Sequence, residues 1–307
     1  MSVRLGGVPT PIGPGAREIA AALGLPPPTP EQVAVIEAPL APLLVVAGAG
    51  SGKTETMAAR VVWLVAGGQV APDGVLGLTF TRKAAGELAE RVRRRLRALR
   101  AAGLWTPEDG SDVADVTVST YHAYAGRLVR EHGLRLGVEP EARLLSEAAA
   151  WQLAHRVVER WTGEMGSVDN AVSTVVEAVL TLSGECAEHL VDPADVEAWL
   201  GARIDVLQLL PYDDRKDHGR YAVVRELLHK LEARRQLVPV VQAFREAKRQ
   251  ADSVDFADQL EVAARLAQQV PSMVAAERHR FPAVLLDEYQ DTSSAQLEML
   301  HALFGGG

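Results

Sequence analysis

The 307-residue sequence predicts an α/β protein, a buried parallel sheet wound with helices and interrupted by an all-helical insertion. Three observations carry that expectation. Short apolar runs at Leu43–Val46, Val75–Thr79, Val116–Ser119 and Ala283–Leu286 each precede a helical pattern, as parallel strands with crossover helices do. The stretch from Ser146 to Ala251 shows helix-period apolar spacing and no strand pattern. A glycine-rich turn after the first run and an acidic end to the last suit one common site. They lie too far apart for a single small core, and an insertion resolves the distance.

The elements follow in order. Met1 to Pro28, rich in Gly and Pro and closed by Pro26-Pro27-Pro28, reads as a flexible leader. Thr29-Pro30-Glu31-Gln32 opens a helix, with Thr29 as N-cap and Gln32 three residues on. Gln32 has two readings: it closes that cap, or its amide reads the edge of an adenine. Ala47-Gly48-Ala49-Gly50-Ser51-Gly52-Lys53-Thr54 then joins the first apolar run to a helical pattern at Glu55 to Ala66. Glycines there let successive N–H groups curl around an anion, and a helix N-terminus adds partial positive charge. Lys53 suits the β- and γ-phosphates of a nucleoside triphosphate, and the Thr54 hydroxyl suits Mg²⁺.

After the second run comes a helix with an apolar stripe at Leu88, Val92, Leu96 and Leu99. Its arginines (91, 93, 94, 95, 97 and 100) are expected to face outward, as a solvated face or as a phosphate track. Loop signals at Gly163–Gly166, Asp192-Pro193 and Pro211–Gly219 cut the helical insertion, whose Trp151, Trp161 and Trp199 are expected in its core. The last apolar run enters Asp287-Glu288-Tyr289-Gln290-Asp291. One carboxylate of such a pair holds Mg²⁺ and the other orients or deprotonates water. Ser293 and Gln296 already cap the next helix, which frees Asp287 and Glu288 for that chemistry.

Composition narrows the rest. A net charge of −8 argues against general polyanion binding, so nucleic-acid contacts must be local. One cysteine, Cys186, excludes an internal disulfide and fits a reducing cytoplasm. No apolar run approaches the roughly 20 residues of a membrane span, and the N-terminus lacks the apolar core of a signal peptide. The Asn-Lys-x-Asp guanine motif is missing, which counts against a GTPase.

Several segments, in order, resemble the superfamily 1 DNA helicases of the UvrD/Rep/PcrA type, which include the RecB- and AdnAB-like helicase–nucleases. Thr29–Gln32 is similar to the adenine-reading Q motif, and Ala47–Thr54 to motif I, where alanine is common at the first position. Leu78-Thr79-Phe80-Thr81-Arg82-Lys83-Ala84-Ala85 resembles motif Ia, with Arg82 where asparagine is more usual. Ser119-Thr120-Tyr121-His122-Ala123-Tyr124 resembles motif Ib, with Tyr121 in place of the commoner phenylalanine. Asp255-Phe256-Ala257-Asp258 resembles the return from the helical subdomain, and Asp287–Thr292 resembles motif II. Within the family, Gln32 to Gly68 and Val75 to Leu88 resemble actinobacterial helicase–nuclease subunits.

The resemblance implies a RecA-like subdomain 1A from 29–125 and 255–307, with 126–254 as helical subdomain 1B. It implies ATP and Mg²⁺ as cofactors and 3′ to 5′ movement on single-stranded DNA or at single-/double-strand junctions, in repair or recombination. A second helicase–nuclease subunit is a further partner it suggests. Lys53, Asp287 and Glu288 would be catalytic, and Gln290 would relay the γ-phosphate state. Phe80 would stack on bases beside Thr81, Arg82, Tyr121 and His122; without the resemblance Phe80 reads as core. Tyr121 and His122 could equally pack their own helix. In the family a later strand and a second RecA-like domain complete the site, and arginine fingers are worth about 10³–10⁵ in rate. Residues 1–307 alone are therefore expected to bind ATP and to turn it over slowly. A non-catalytic ATP-dependent DNA- or partner-binding module is the alternative.

Overall fold

Packing divides the chain into two units: the described parts of Met1–Tyr124 with Val274–Thr292, and of Ala125–Met273 with Ser293–Gly307. The computed structural model describes residues 13–48, 50–106, 115–168, 170–210 and 222–305.

Within the described residues the first unit begins with α1 (Ala16–Ala22), a packed helix where 1–28 was expected to be a flexible leader. Ala16, Ile19 and Ala20 recur at i, i+3 and i+4, and all three are buried. The Glu37 carboxylate accepts from Ala16 N–H at 2.8 Å and fixes the start of the helix. Next come α2 (Pro30–Ile36), α3 (Lys53–Ala66), β1 (Val75–Thr79), α4 (Arg82–Ala101), β2 (Thr117–Thr120) and the first turn of α5 (Tyr121–His132), the rest of which belongs to the second unit. The stripe Leu88, Val92, Leu96 and Leu99 lies in one core with Val61, Val62 and Leu64 of α3.

One expected strand is missing. Leu43–Val46 forms no ladder with any described residue, and its four side chains are 49, 73, 42 and 89% exposed. Apolar character makes a strand only where an edge offers N–H and C=O partners. Among the described residues these four find none. Val116–Ser119 is shifted by one residue to become β2.

The second unit contains β3 (Arg143–Leu144), α6 (Glu147–Glu159), α7 (Val172–Glu188), α8 (Pro193–Gln208), α9 (Ala222–Gln250), β4 (Ser253–Val254) and α10 (Phe256–Gln269). As expected, the described residues of 146–251 form helices and no strand. Val175, Val176 and Val179 of α7 meet Val240, Val241 and Phe244 of α9 in its main core. Asp192 caps α8, its carboxylate accepting from Ala194 N–H at 2.8 Å. The loop expected at Pro211–Gly219 lies outside the described residues. Trp151 and Trp161 pack against the core. Trp199 does not: α8 turns Leu200 and Ile204 inward, leaving Trp199 55% exposed beneath the Arg203 guanidinium.

At the end of α9 the Lys248 ammonium is buried between Asp255 (2.6 Å) and Asp258 (2.6 and 2.7 Å). Burial resists ionisation of Asp255, but the charge and hydrogen bond of Lys248 outweigh it and hold its pKa below the ordinary value. Asp255 also caps α10, accepting from Asp258 N–H.

The chain completes both units with α11 (Pro271–Arg280), β5 (Ala283–Leu286) and α12 (Ser294–Phe304). The sheet is parallel in the order β2-β1-β5, with β1 buried along its whole length. No described helix is long and apolar enough to cross a membrane.

Candidate active site

The turn before α3 has the shape that its glycines predict. Gly50 and Gly52 adopt φ of +75° and +86°, in the left-handed region that other residues avoid. Ser51 closes the turn on the Gly48 carbonyl through its N–H (3.3 Å) and its hydroxyl (2.8 Å). Ala49 lies outside the described residues. Lys53 and Thr54 occupy the first turn of α3, and Lys53 Nζ donates back to the Ala47 carbonyl at 3.4 Å.

The acidic strand end arrives at the same place. Asp287 N–H continues the ladder to the Leu78 carbonyl at 2.9 Å, so β1 sets the height at which β5 ends. Glu288 Oε2 then stands 3.9 Å from Lys53 Nζ. Glu288 has φ +48°, a costly backbone state for a residue with a side chain, and such states concentrate at functional sites. Its carboxylate accepts a hydrogen bond from the Gln290 amide. Burial, then the like charge of Glu288, push the Asp287 carboxyl above its ordinary pKa, against the Glu288 N–H bond and the Lys53 charge.

A divalent cation suits this pair, since it relieves the repulsion that raises Asp287. No cluster of three or more His, Cys, Asp or Glu among the described residues makes a metal site by itself. Mg²⁺ would therefore take part of its ligand set from phosphate oxygens and water, as it commonly does.

Gln32 makes the local cap in full. Its Oε1 accepts from Thr29 N–H at 3.0 Å while its own N–H donates to Thr29 Oγ1 at 3.3 Å. Its Nε2 is left to donate to the Ser51 carbonyl at 3.4 Å, on the phosphate turn itself. A cavity of about 400 Å³ opens beside it, bordered by Pro27, Ile36, Glu55 and Arg95. Arg60 fixes α2 against α3 by donating to the carbonyls of Val35, Ile36, Ala38 and Pro39 at 2.8–3.2 Å. Four backbone acceptors at a helix C-terminus replace the water that the buried guanidinium gave up.

Arg95 departs from the outward face expected of its helix. It is buried, pairs with Glu55, and leaves Nη1 without a partner. Arg91 joins it on Glu55, and Arg93 binds Asp115 at 3.0 Å. These charges are engaged within their own unit rather than free to track phosphates.

Phe80 follows β1 and is 36% exposed, at the strand edge where parallel sheets receive ligands. Tyr121 follows β2 and is only 1% exposed. Of its two readings, a DNA contact or packing, burial favours packing: its ring backs Phe80, with centroids 4.9 Å apart, and its hydroxyl donates to the Asp287 carbonyl at 3.3 Å. Thr81 is exposed and caps α4 by accepting from Ala84 N–H. Arg82 is exposed beside it, and His122 is half-buried on the first turn of α5.

The structure thus gathers Gln32, Lys53, Asp287, Glu288 and Gln290 around one turn and presents Phe80, Thr81 and Arg82 at the strand edge. Reading the sequence missed Arg60, the Glu55–Arg95 pair and the Tyr121 hydroxyl, which act across the fold. Tyrosine at 121, where the resembled motif more commonly has phenylalanine, was the visible signal of that hydroxyl alone.

The family model described as the UvrD/REP helicase N-terminal domain matches residues 28–307. The ATP-dependent DNA helicase PcrA of Leuconostoc citreum is 28% identical over 274 residues, covering 89% of this chain and 30% of the relative. DNA helicase II of Escherichia coli (strain K12) is 28% identical over 277 residues, 90% of this chain and 31% of the relative. The ATP-dependent DNA helicase UvrD2 of Mycobacterium bovis is 34% identical over 209 residues, 63% of this chain and 29% of the relative. The chain spans about 30% of the length of these curated relatives.

Proposed function

The chain belongs to the UvrD/REP helicase N-terminal domain family, and from that membership we propose that it is the ATP-binding motor half of a 3′–5′ DNA helicase serving repair or recombination. The observation that carries the reading is the 3.9 Å approach of Lys53 to Glu288, two groups remote in sequence. In this reading 29–125 and 255–307 form subdomain 1A, and 126–254 forms 1B.

The roles follow from the geometry. Lys53 and the N–H groups of Gly50–Thr54 bind the phosphates. Thr54 and Asp287 hold Mg²⁺, which when bound draws charge off the phosphate oxygens. Glu288 orients and deprotonates the attacking water, and Gln290, already on Glu288, senses the state of that carboxylate. The base lies in the cavity beside Gln32. Phe80 stacks on successive DNA bases for about 1–3 kcal/mol each, without regard to sequence, as a motor that must release every base requires.

The decisive experiment titrates a fluorescent ATP analogue with Mg²⁺ into the wild type, Lys53→Ala and Glu288→Gln. Loss of a charge-assisted contact should weaken binding to Lys53→Ala by about 10–100-fold. Glu288→Gln should still bind while hydrolysis by the protein that contains it stops. Equal affinity in Lys53→Ala would remove the site assignment, and binding without turnover in any context would favour a non-catalytic module. The 307-residue chain alone should hydrolyse ATP slowly; brisk DNA-stimulated turnover by its monomer contradicts that.

A further inference from the structure

Three strand ends bring three different side chains to one edge. In the order β2-β1-β5, Tyr121 follows β2, Phe80 follows Thr79 of β1, and Asp287 follows β5. Thr79 is paired with Thr120 and Leu78 with Leu286. The Tyr121 side chain therefore crosses the end of β1 to reach β5. Its ring lies against Phe80 on the way, the planes inclined at 49°.

The carbonyl it grips belongs to the peptide that joins Asp287 to Glu288. The N–H of that same peptide donates to Asp287 Oδ1 at 3.1 Å, and Glu288 beyond it is the residue at φ +48°. One peptide plane thus sets the direction of both carboxylates. Burial pushes the Tyr121 hydroxyl up to about 12 against the opposing effect of Thr292, with the charge of Asp287 adding to the rise, so it remains a donor at any working pH.

We infer that Tyr121 is a positioning residue that couples a base stacked on Phe80 to the orientation of the Asp287–Glu288 pair. The inference rests on the proposed reading of Phe80 as the stacking platform and of the carboxylates as the nucleotide side. A base on the open face of Phe80 constrains that ring, and the buried tyrosine ring behind it has no free volume in which to ignore the change. The hydroxyl passes the displacement to the peptide plane. Phenylalanine, commoner at this place in the resembled motif, keeps the ring contact and lacks the tether.

Coupling of this kind is reciprocal, so it is measurable in binding without turnover. The test titrates the fluorescent ATP analogue with Mg²⁺ into the 307-residue chain, with and without saturating oligothymidylate, for the wild type and Tyr121→Phe. The wild-type affinities should differ about fivefold or more. In Tyr121→Phe that ratio should move towards one by about two- to tenfold, the bias carried by one hydrogen bond. A merely structural role would lower the unfolding temperature and leave the ratio intact. An unchanged ratio in Tyr121→Phe, or a wild-type ratio of one with both ligands bound, overturns the inference and leaves the site reading standing. Failure of the wild type to bind the nucleotide or the oligonucleotide overturns the site reading itself.

Discussion

Asp287 lies where burial and the neighbouring Glu288 both resist its ionisation, yet the proposed chemistry needs it charged. Its folded pKa is raised, so between the ordinary value of 3.8 and the raised one the folded state binds more proton than the unfolded state. Stability therefore falls as pH rises through that window, and above it the ionised side chain is a net liability. Asp287→Asn removes the liability. Its unfolding temperature should exceed that of the wild type at neutral pH, by on the order of 1 °C because the site is half-exposed. The two should converge below the ordinary value, and a melting series against pH checks both ends. The same variant should lose the dependence of nucleotide affinity on Mg²⁺. Stability and function oppose each other at this carboxylate, as the proposed site leads one to expect.

At the scale of elements, the junction of α9, β4 and α10 turns on one ammonium. Lys248→Met leaves Asp255 and Asp258 facing each other with no cation between them. Loss of one partner from a buried charge cluster costs about 3–5 kcal/mol, and urea unfolding measures it. Adding Asp258→Asn should recover part of that loss, since the second charge is then gone. Much at this scale was legible. Val75–Thr79 and Ala283–Leu286 were read to the residue because each is a short apolar run with a partner waiting in the sheet. The caps at Thr29 and Ser293 were legible because a cap is made of neighbours. Leu43–Val46 was misread, since its apolar run says nothing about whether a ladder exists beside it. Trp199 was misplaced because bulk alone does not tell which side of α8 faces the core. Arg95 and Arg60 were opaque for a different reason: their partners lie on other elements, and spacing along one helix cannot name them.

Across the whole chain, packing cuts at 124/125, 273/274 and 292/293, whereas the sequence reading divided it at 125/126 and 254/255. The difference lies chiefly in α10 and α12: buried Leu260, Ala263 and Ala264 of the one and Met299 and Leu303 of the other go with the second unit. The proposed nucleotide site lies wholly in the first. A ligand that binds only the folded state stabilises it by about 2.7 kcal/mol at 100 times its dissociation constant. Hydrogen exchange with the Mg²⁺-bound ATP analogue should slow across 53–66 and 283–292 and remain unchanged across 172–188. Equal slowing in α7 would show that both units open together. Convergence of Lys53 and Glu288 was foreseeable from chemistry alone, because a phosphate cradle and a paired acid have little use apart. The tether through Tyr121 was not, since nothing in a linear motif shows which carbonyl a hydroxyl will find.

The bare run at Leu43–Val46 leads into Lys53's turn with its side chains in water and no neighbouring strand among the described residues. Such a stretch is adhesive: any extended peptide, including the same run on another molecule, can zip onto it. Concentrated solutions of the chain should therefore cloud on warming before the helical unit melts, and a lysine at Val46, the most open of the four, should keep them clear.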